Sequence, residues 1–495
     1  MNNISRPRFI LSVLLLGFIT ALVSLNSDIS ESFFLDLQTY LSKYLGWMII
    51  ILANGFVVFS IFLLFTKYKN IKLGGPEAKP SYSYINWIAM LFSAGLGIGL
   101  LFYGVAEPIM HMNSYPGMIE GDISYNAGKA IGLANLHWGL HGWAIYSSLG
   151  LCFAFASYNK KLPFRVSSLL GSKVSNNKPL AILIDIIAIL TTVFGVTTSL
   201  GLGTVQISSG LAHVFSINES FSNQVIIIAV ITLIGLISVC LGLDTGIKKL
   251  SQVNMVLATT LMAFIFIFGP TVFILNALIQ NFGSYVNTLI ESATWTEVYQ
   301  STSWQNGWTL FFYTWWFAWA PFVSLFIARI SYGRSIKEFI IGVLFVPSLI
   351  VFLWMGIFGN AAIHQLINET MVVGKVIENF DAALFTLFEA YPYTKLVSII
   401  TLILIVTFFV TSSDSGALVA SMLSSKSQSD INDDSPILSR VTWAILLGIM
   451  AGVLLFAGGL KALQTSVVIT GVPFAIIVVF ACRKFYKSLE KELNK

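Results

Sequence analysis

The chain has 495 residues, 56% of them hydrophobic and only 10% charged, with a mean hydropathy of +0.81. A soluble domain carries about 25% charged residues, so this composition excludes a soluble globular protein and describes an integral membrane protein. The net charge of +5 needs no nucleic-acid partner, because topology accounts for it, and Cys152, Cys240 and Cys482 all fall in apolar segments with neither metal-ligand spacing nor a disulfide pattern.

Arg6 and Arg8 precede an apolar run with no clear small-residue cleavage site, so the first helix reads as retained. Twelve apolar spans of about the 20 residues a bilayer requires follow. Their approximate limits are 9–26, 46–66, 84–106, 129–157, 180–211, 223–243, 252–280, 307–329, 337–360, 394–424, 437–460 and 465–482. All but five of the 28 Lys and Arg fall on one side of this arrangement, the exceptions being Lys43, Lys129, Lys375, Lys395 and Lys461. By the positive-inside rule that side, which includes both termini, is cytoplasmic. The longest outer loops, about 107–128, 281–306 and 361–393, carry Trp295, Trp304 and Tyr391 and read as short surface helices, and the tail from Arg483 to Lys495 is short, basic and helix-prone. No soluble domain is present to hold an active site. Plain sequence repeats are absent, yet spans three to seven and eight to twelve are both five-helix sets. An odd-numbered set inserted twice in succession comes out inverted, the topology of many secondary transporters.

The third span contains Gly95, Gly97 and Gly99 in Gly-Leu-Gly-Ile-Gly. Each glycine weakens a helix by roughly 1 kcal/mol relative to alanine. The stretch therefore invites local unwinding that would expose backbone to a substrate or ion. Close helix packing explains small residues equally well.

In the fourth span, NLHWGLHGWAIY holds Trp138, Trp143 and Tyr146. His137 and His141 flank Trp138 at i, i+4. That spacing suits a metal, but no third ligand is evident, and helix–helix hydrogen bonding is the competing reading. The fifth span crowds Thr191, Thr192, Thr197, Thr198 and Ser199 around Gly195.

The eighth span, WTLFFYTWWFAWAPFVSLFIARI, places Trp315, Trp316 and Trp319 two turns inside the membrane. Trp315 and Trp319 share a face at i, i+4, and Pro321 is expected to kink or loosen the helix. Several aromatic faces around one spot make a box for a quaternary ammonium, each desolvated cation–π contact being worth up to ~2 kcal/mol; packing alone is the alternative. The tenth span runs Thr407, Phe408, Phe409, Val410, Thr411, Ser412, Ser413, Asp414. Hydroxyls there either bond back to their own helix or coordinate a small hard cation beside the Gly-rich stretch. Arg329 and Asp414 are intramembrane charges near cytoplasmic helix ends, where lone charges are costly and partnered. Asp185 and Glu107, nearer span boundaries, read as solvated or capping.

Together, SAGLGIGLLFYGVAEP, LHWGLHGWAIY and WTLFFYTWWFAWAPFVSLFIARISYGRSIKEF, in this order within twelve spans, resemble the betaine/choline/carnitine transporter family over nearly the whole chain. The resemblance implies an all-α integral membrane protein with a LeuT-like fold. Residues 1–83 would form the N-terminal tail and two extra helices, 84–280 a first five-helix repeat, 281–306 an outer loop or helix, 307–482 a second, inverted repeat and 483–495 a cytoplasmic tail. It further implies a homotrimer in the lipid bilayer of a bacterial plasma membrane, not an enzyme, with no cofactor but sodium as coupling ion. By motif, Trp315, Trp316 and Trp319 would cage a trimethylammonium group, closed by Trp138 and Tyr146. Gly95, Leu96, Gly97, Ile98 and Gly99 would unwind beside it. Ser93, Leu96, Phe408, Thr411 and Ser412 would match one sodium site, and Thr192 and Phe322 a second. Val196 stands where sodium-coupled relatives place another threonine, which puts the second sodium in doubt. Arg329 and Asp414 would pair as a cytoplasmic gate.

Charge narrows the substrate. Betaine is a zwitterion and needs no protein carboxylate. Choline carriers of the resembled family often place an aspartate in the Gly-rich stretch, and none lies between Met90 and Val105. Glycine betaine leads, with choline, carnitine, proline betaine, ectoine and dimethylsulfoniopropionate open. Sodium-independent carnitine exchangers of the family carry a basic residue in the fifth span; Leu180 to Ala212 has no Lys or Arg, which implies sodium rather than proton coupling or exchange. A channel or transport-derived sensor is the competing class.

Overall fold

The computed structural model describes residues 4–25, 27–95, 97–241, 248–300, 302–368, 373–426 and 435–493. Long apolar segments leave the backbone no polar partner but itself, and they form helices. Among the described residues there is no strand, only isolated bridges pairing Ile4 with Ser425 and Lys72 with Ser335. In chain order the main helices are α1 (Arg6–Leu25), α2 (Ser27–Phe65), α3 (Tyr84–Gly95), α4 (Gly97–Ser114), α5 (Ile123–Trp138), α6 (Leu140–Ala154), α7 (Lys178–Phe215) and α8 (Phe221–Leu241). They continue with α9 (Lys248–Phe268), α10 (Thr271–Thr294), α11 (Thr309–Ile330), α12 (Ile336–Ile367, interrupted by two wider π turns), α13 (Thr394–Leu423) and α14 (Ile437–Leu493).

Nine helices among the described residues are long and apolar enough to cross a membrane. The twelve expected spans and these nine differ for local reasons. Span 84–106 is divided between α3 and α4, and span 129–157 between α5 and α6. Spans 437–460 and 465–482 share one run, α14, whose backbone leaves helical geometry at Gly458 and Gly459. Between α5 and α6, Gly139 sits so close to the Asn135 carbonyl that a Cβ would stand 2.5 Å from its oxygen. Only glycine fits that break.

The seventh span ends earlier than the expected limit of 280. Gly269 and Pro270 stop α9 at Phe268, and α10 runs on as a separate helix through the expected domain limit at 280/281. Val272, Leu275, Ile279, Phe282, Val286 and Ile290 form an exposed apolar face at three- and four-residue spacing, while Ile274, Asn281, Thr288 and Ser292 are buried. This amphipathic helix packs along α5.

At the centre stands α11, every residue of which is buried. It is apolar all round, as a core helix must be, and packs against α6, α7 and α14. The helix continues through Pro321 to Ile330. Helix α7 starts where the Asn177 side chain caps the Leu180 amide with Pro179 in the first turn, and it buries the hydroxyl-rich stretch from Thr191 to Ser209.

Many segments expected on the basic side meet at one end of the bundle. The Ser5 amide donates to the Ser424 carbonyl, Arg165 to the Ser425 carbonyl, and Lys160 pairs with Glu492 at 2.5 Å. Asp185 was expected to be solvated or capping. It is fully buried, accepting from Arg8 Nε at 2.7 Å and from the amide and hydroxyl of Ser167, each at 2.9 Å.

Candidate aromatic binding site

Trp315, Trp316 and Trp319 of α11 converge with Trp138 of α5 and Tyr146 of α6. The rings of Trp315 and Trp316 lie parallel, 6° apart in plane with centroids 5.5 Å apart. Trp319 stands edge-on to both, at 5.9 and 6.3 Å. Trp138 meets Trp316 at 5.1 Å and Trp315 at 6.0 Å, and Tyr146 meets Trp316 at 6.1 Å. Three indole N–H groups are tied down: Trp316 to the His137 carbonyl, Trp319 to the Gly195 carbonyl and Trp138 to Glu107 Oε2, each at 2.7 Å. The rings are held by hydrogen bonds as well as by packing, so their faces are pre-oriented. Among the described residues, Trp315 Nε1 and the Tyr146 hydroxyl are buried with no hydrogen-bond partner. These are two donors that a polar ligand in the box would satisfy.

The glycines are explained by these rings. A Cβ on Gly95 would collide with the Trp143 ring, one on Gly99 with the Trp138 ring, one on Gly142 would stand 3.0 Å from Trp316, and one on Gly195 2.8 Å from Trp319. Each large indole thus faces a residue without a side chain. Helix is described to Gly95 and again from Gly97; Leu96 and the side chain of Ser93 lie outside the described residues. Gly97 faces Phe408, and Ile98 is buried with its side chain against Gly203.

Behind Trp138 the structure departs from the sequence reading. Glu107 is fully buried, neither solvated nor capping. Its Oε1 lies 3.0 Å from His111 Nε2 and 2.7 Å from His137 Nδ1. His137 Nε2 lies 3.0 Å from Thr309 Oγ1. His141 turns away to Asn54, at 3.2 Å, so the i, i+4 histidines do not converge. The His137 ring thus meets Glu107 on one nitrogen and Thr309 on the other. The signal was present in the sequence as Glu107 and His111 at i, i+4, one residue from Pro108.

In α13 the Thr411 hydroxyl is 2.9 Å from the Phe408 carbonyl and 3.1 Å from that of Thr407, and Asn254 of α9 donates to it at 3.2 Å. Asn254 had no part in the sequence reading. Ser412 is buried beside Thr411. Thr192 Oγ1 is buried with no hydrogen-bond partner among the described residues, while Phe322 packs edge-on to Trp319 at 5.7 Å. Val196 fills the space opposite Gly416 of α13.

Arg329 and Asp414 are both buried. Asp414 accepts from the Ser238 hydroxyl of α8. Arg329 Nη1 is 3.5 Å from Met422 Sδ of α13, the helix that carries Asp414.

Phe380 rests on Tyr103 at 5.6 Å and Trp308 at 6.5 Å. Burial, with Glu219 nearby, pushes the neighbouring Asp381 carboxyl up to about 6.

Residues 7–494 match the family described as BCCT, betaine/carnitine/choline family transporter. The chain is 36% identical over 499 residues to a glycine betaine transporter of Acinetobacter baylyi, covering 100% of this chain and 74% of the relative. It is 41% identical over 463 residues to the glycine betaine transporter OpuD of Bacillus subtilis, covering 92% and 88%. A glycine betaine/proline/choline transporter of Vibrio parahaemolyticus is 38% identical, with 96% and 88% covered. The chain is a multi-pass membrane transporter, not an enzyme, and belongs to the betaine/carnitine/choline transporter family.

Proposed function

We propose that this transporter takes up glycine betaine, a zwitterionic compatible solute, by sodium-coupled alternating access. The observation that carries the reading is the indole box: Trp315, Trp316, Trp319, Trp138 and Tyr146 form a cluster of pre-oriented aromatic rings. Such walls attract a trimethylammonium group through the ring quadrupoles, and Trp315 Nε1 and the Tyr146 hydroxyl are donors for the substrate carboxylate. The names of the three relatives support betaine as the first substrate to test.

Sodium is placed, in this proposal, at Phe408, Thr411 and Ser412 with Ser93 and Leu96. The support is the proximity of the Thr411 hydroxyl to the Phe408 carbonyl, and of Phe408 to Gly97. Adjacent oxygens are what a hard cation wants. A second ion at Thr192 and Phe322 is supported by the buried Thr192 hydroxyl, and opposed by the apolar Val196 one turn on. Twelve passes arranged as two inverted five-helix repeats after two leading helices, with both termini cytoplasmic in a bacterial plasma membrane, complete the proposal, as does a homotrimer. Arg329 and Asp414 pair as a gate on the cytoplasmic side.

A second reading, choline, has one observation in its favour. No acid lies between Met90 and Val105, but the fold brings the Glu107 carboxylate to within one hydrogen bond of the box. Uptake of labelled betaine into proteoliposomes, with and without an imposed sodium gradient, tests the main reading. Equal accumulation with no sodium on either side overturns the coupling. Strong choline transport that Glu107→Gln abolishes, with betaine transport retained, shifts the substrate to choline.

A further inference from the structure

The choline reading draws only on the charge of Glu107. The two imidazoles beside it have no part in either transport reading. We propose that Glu107, His111 and His137 form a binding site for a borderline divalent cation, Zn2+ or its chemical relative Co2+, behind the indole box and separate from any coupling-ion site.

One carboxylate oxygen and two imidazole nitrogens converge here, all within 4.8 Å of one another and all from fully buried side chains. Two neutral imidazoles and one carboxylate are the donor set that zinc and cobalt take, whereas sodium wants oxygen alone. The separations of 3.0 and 2.7 Å between Glu107 Oε1 and the two nitrogens are hydrogen-bond lengths. Tetrahedral ligands about 2.0–2.1 Å from a metal stand roughly 3.3 Å apart, so Glu107 Oε1 needs to part from the two nitrogens by only about 0.3 and 0.6 Å, and the two nitrogens, within 4.8 Å of one another, need to settle at the same spacing. Glu107 and His111 sit at i, i+4 on one face of α4, so a single helix supplies two ligands and α5 the third.

The atoms around this set orient it as they do in built metal sites. Trp138 donates to the second Glu107 oxygen at 2.7 Å. With a metal on Nδ1, His137 carries its proton on Nε2 and donates it to Thr309 Oγ1, already 3.0 Å away. One carboxylate and two neutral imidazoles leave a divalent ion with one net positive charge and room for a water as fourth ligand. Trp308 and Trp304 cover His111, with centroids 4.5 and 5.1 Å from its ring. The site is therefore ringed by tryptophans that report on it.

Tag-free, chelator-washed full-length protein is titrated with Co2+, reading tryptophan quenching and the visible absorption of a four-coordinate ion, and then with Zn2+ in competition. The expected result is one Co2+ per chain, displaced by Zn2+. The signal should be lost in His111→Ala and in His111→Gln, and the affinity weakened about 10-fold or more in Thr309→Val. Helical circular dichroism and a cooperative thermal melt of the His111 variants show that they are folded. His213, 3.8 Å from Glu389 near the surface, is the control; His213→Ala should leave Co2+ binding intact. Wild-type protein that binds neither ion overturns the proposal, as does Co2+ binding that survives both His111 substitutions or disappears in His213→Ala. The outcome is independent of whether betaine is transported.

Discussion

The Trp138 indole N–H ends on Glu107 Oε2, 2.7 Å away, with both side chains buried. One wall of the aromatic box is therefore positioned by a carboxylate from α4, the helix that also gives Trp138 the space opposite Gly99. Box shape and the buried acid are mechanically one unit, so a change at either is felt by the other.

Trp319→Leu keeps apolar bulk but removes a ring whose N–H is fixed by the Gly195 carbonyl. Betaine binding should weaken by about 1–2 kcal/mol, or roughly ten-fold or more. Trp319→Phe should recover part of it. Titrations following the remaining tryptophans or heat give the affinities, and an unchanged value for the leucine variant removes Trp319 from the site.

Gly99→Ala places a methyl group inside the Trp138 ring. Overpacking of this kind costs about 1–3 kcal/mol, and the displaced indole should lose its bond to Glu107. We expect a lower melting temperature and weaker substrate binding together. The double variant with Trp138→Phe, whose ring is smaller, should melt higher than Gly99→Ala alone; additive losses would count against the collision.

Asp185→Ala leaves Arg8, the Ser167 amide and the Ser167 hydroxyl without their shared acceptor. Removing one partner of a buried pair costs about 3–5 kcal/mol. Arg8 is partly exposed, and Arg8→Ala leaves the Ser167 donors in place, so its loss should be smaller. Thermal unfolding in detergent ranks the two, and the reverse order would show that Arg8 dominates.

Asp381 titrates in the folded protein at about 6, raised first by burial and then by Glu219. Between the unfolded value near 3.9 and about 6, the folded state binds more protons than the unfolded chain. The contribution of Asp381 to stability is therefore full below about pH 4 and lost as pH rises through 6. Asp381→Asn lacks this loss. Its melting temperature relative to wild type should climb from pH 4 to pH 6.5 and then level off; a constant difference refutes the assignment.

Local composition and period alone determine a great deal in this chain. A 56% hydrophobic content with sparse charge forces helices, because hydrocarbon offers the backbone no other partner. The clustering of tryptophans at 315, 316 and 319 is a property of one helix, so the box could be read before any packing was known. The meeting of the basic segments at one end likewise follows from where charge can sit. Partners contributed by other helices were not legible. Nothing in the spacing told which glycine faces which indole, because Gly195 and Trp319, or Gly99 and Trp138, meet only when separate helices dock. His137 and His141 share a face by period, yet Glu107 draws one and Asn54 the other. Register and rotation between helices arise from the summed fit of many side chains, which no local pattern encodes.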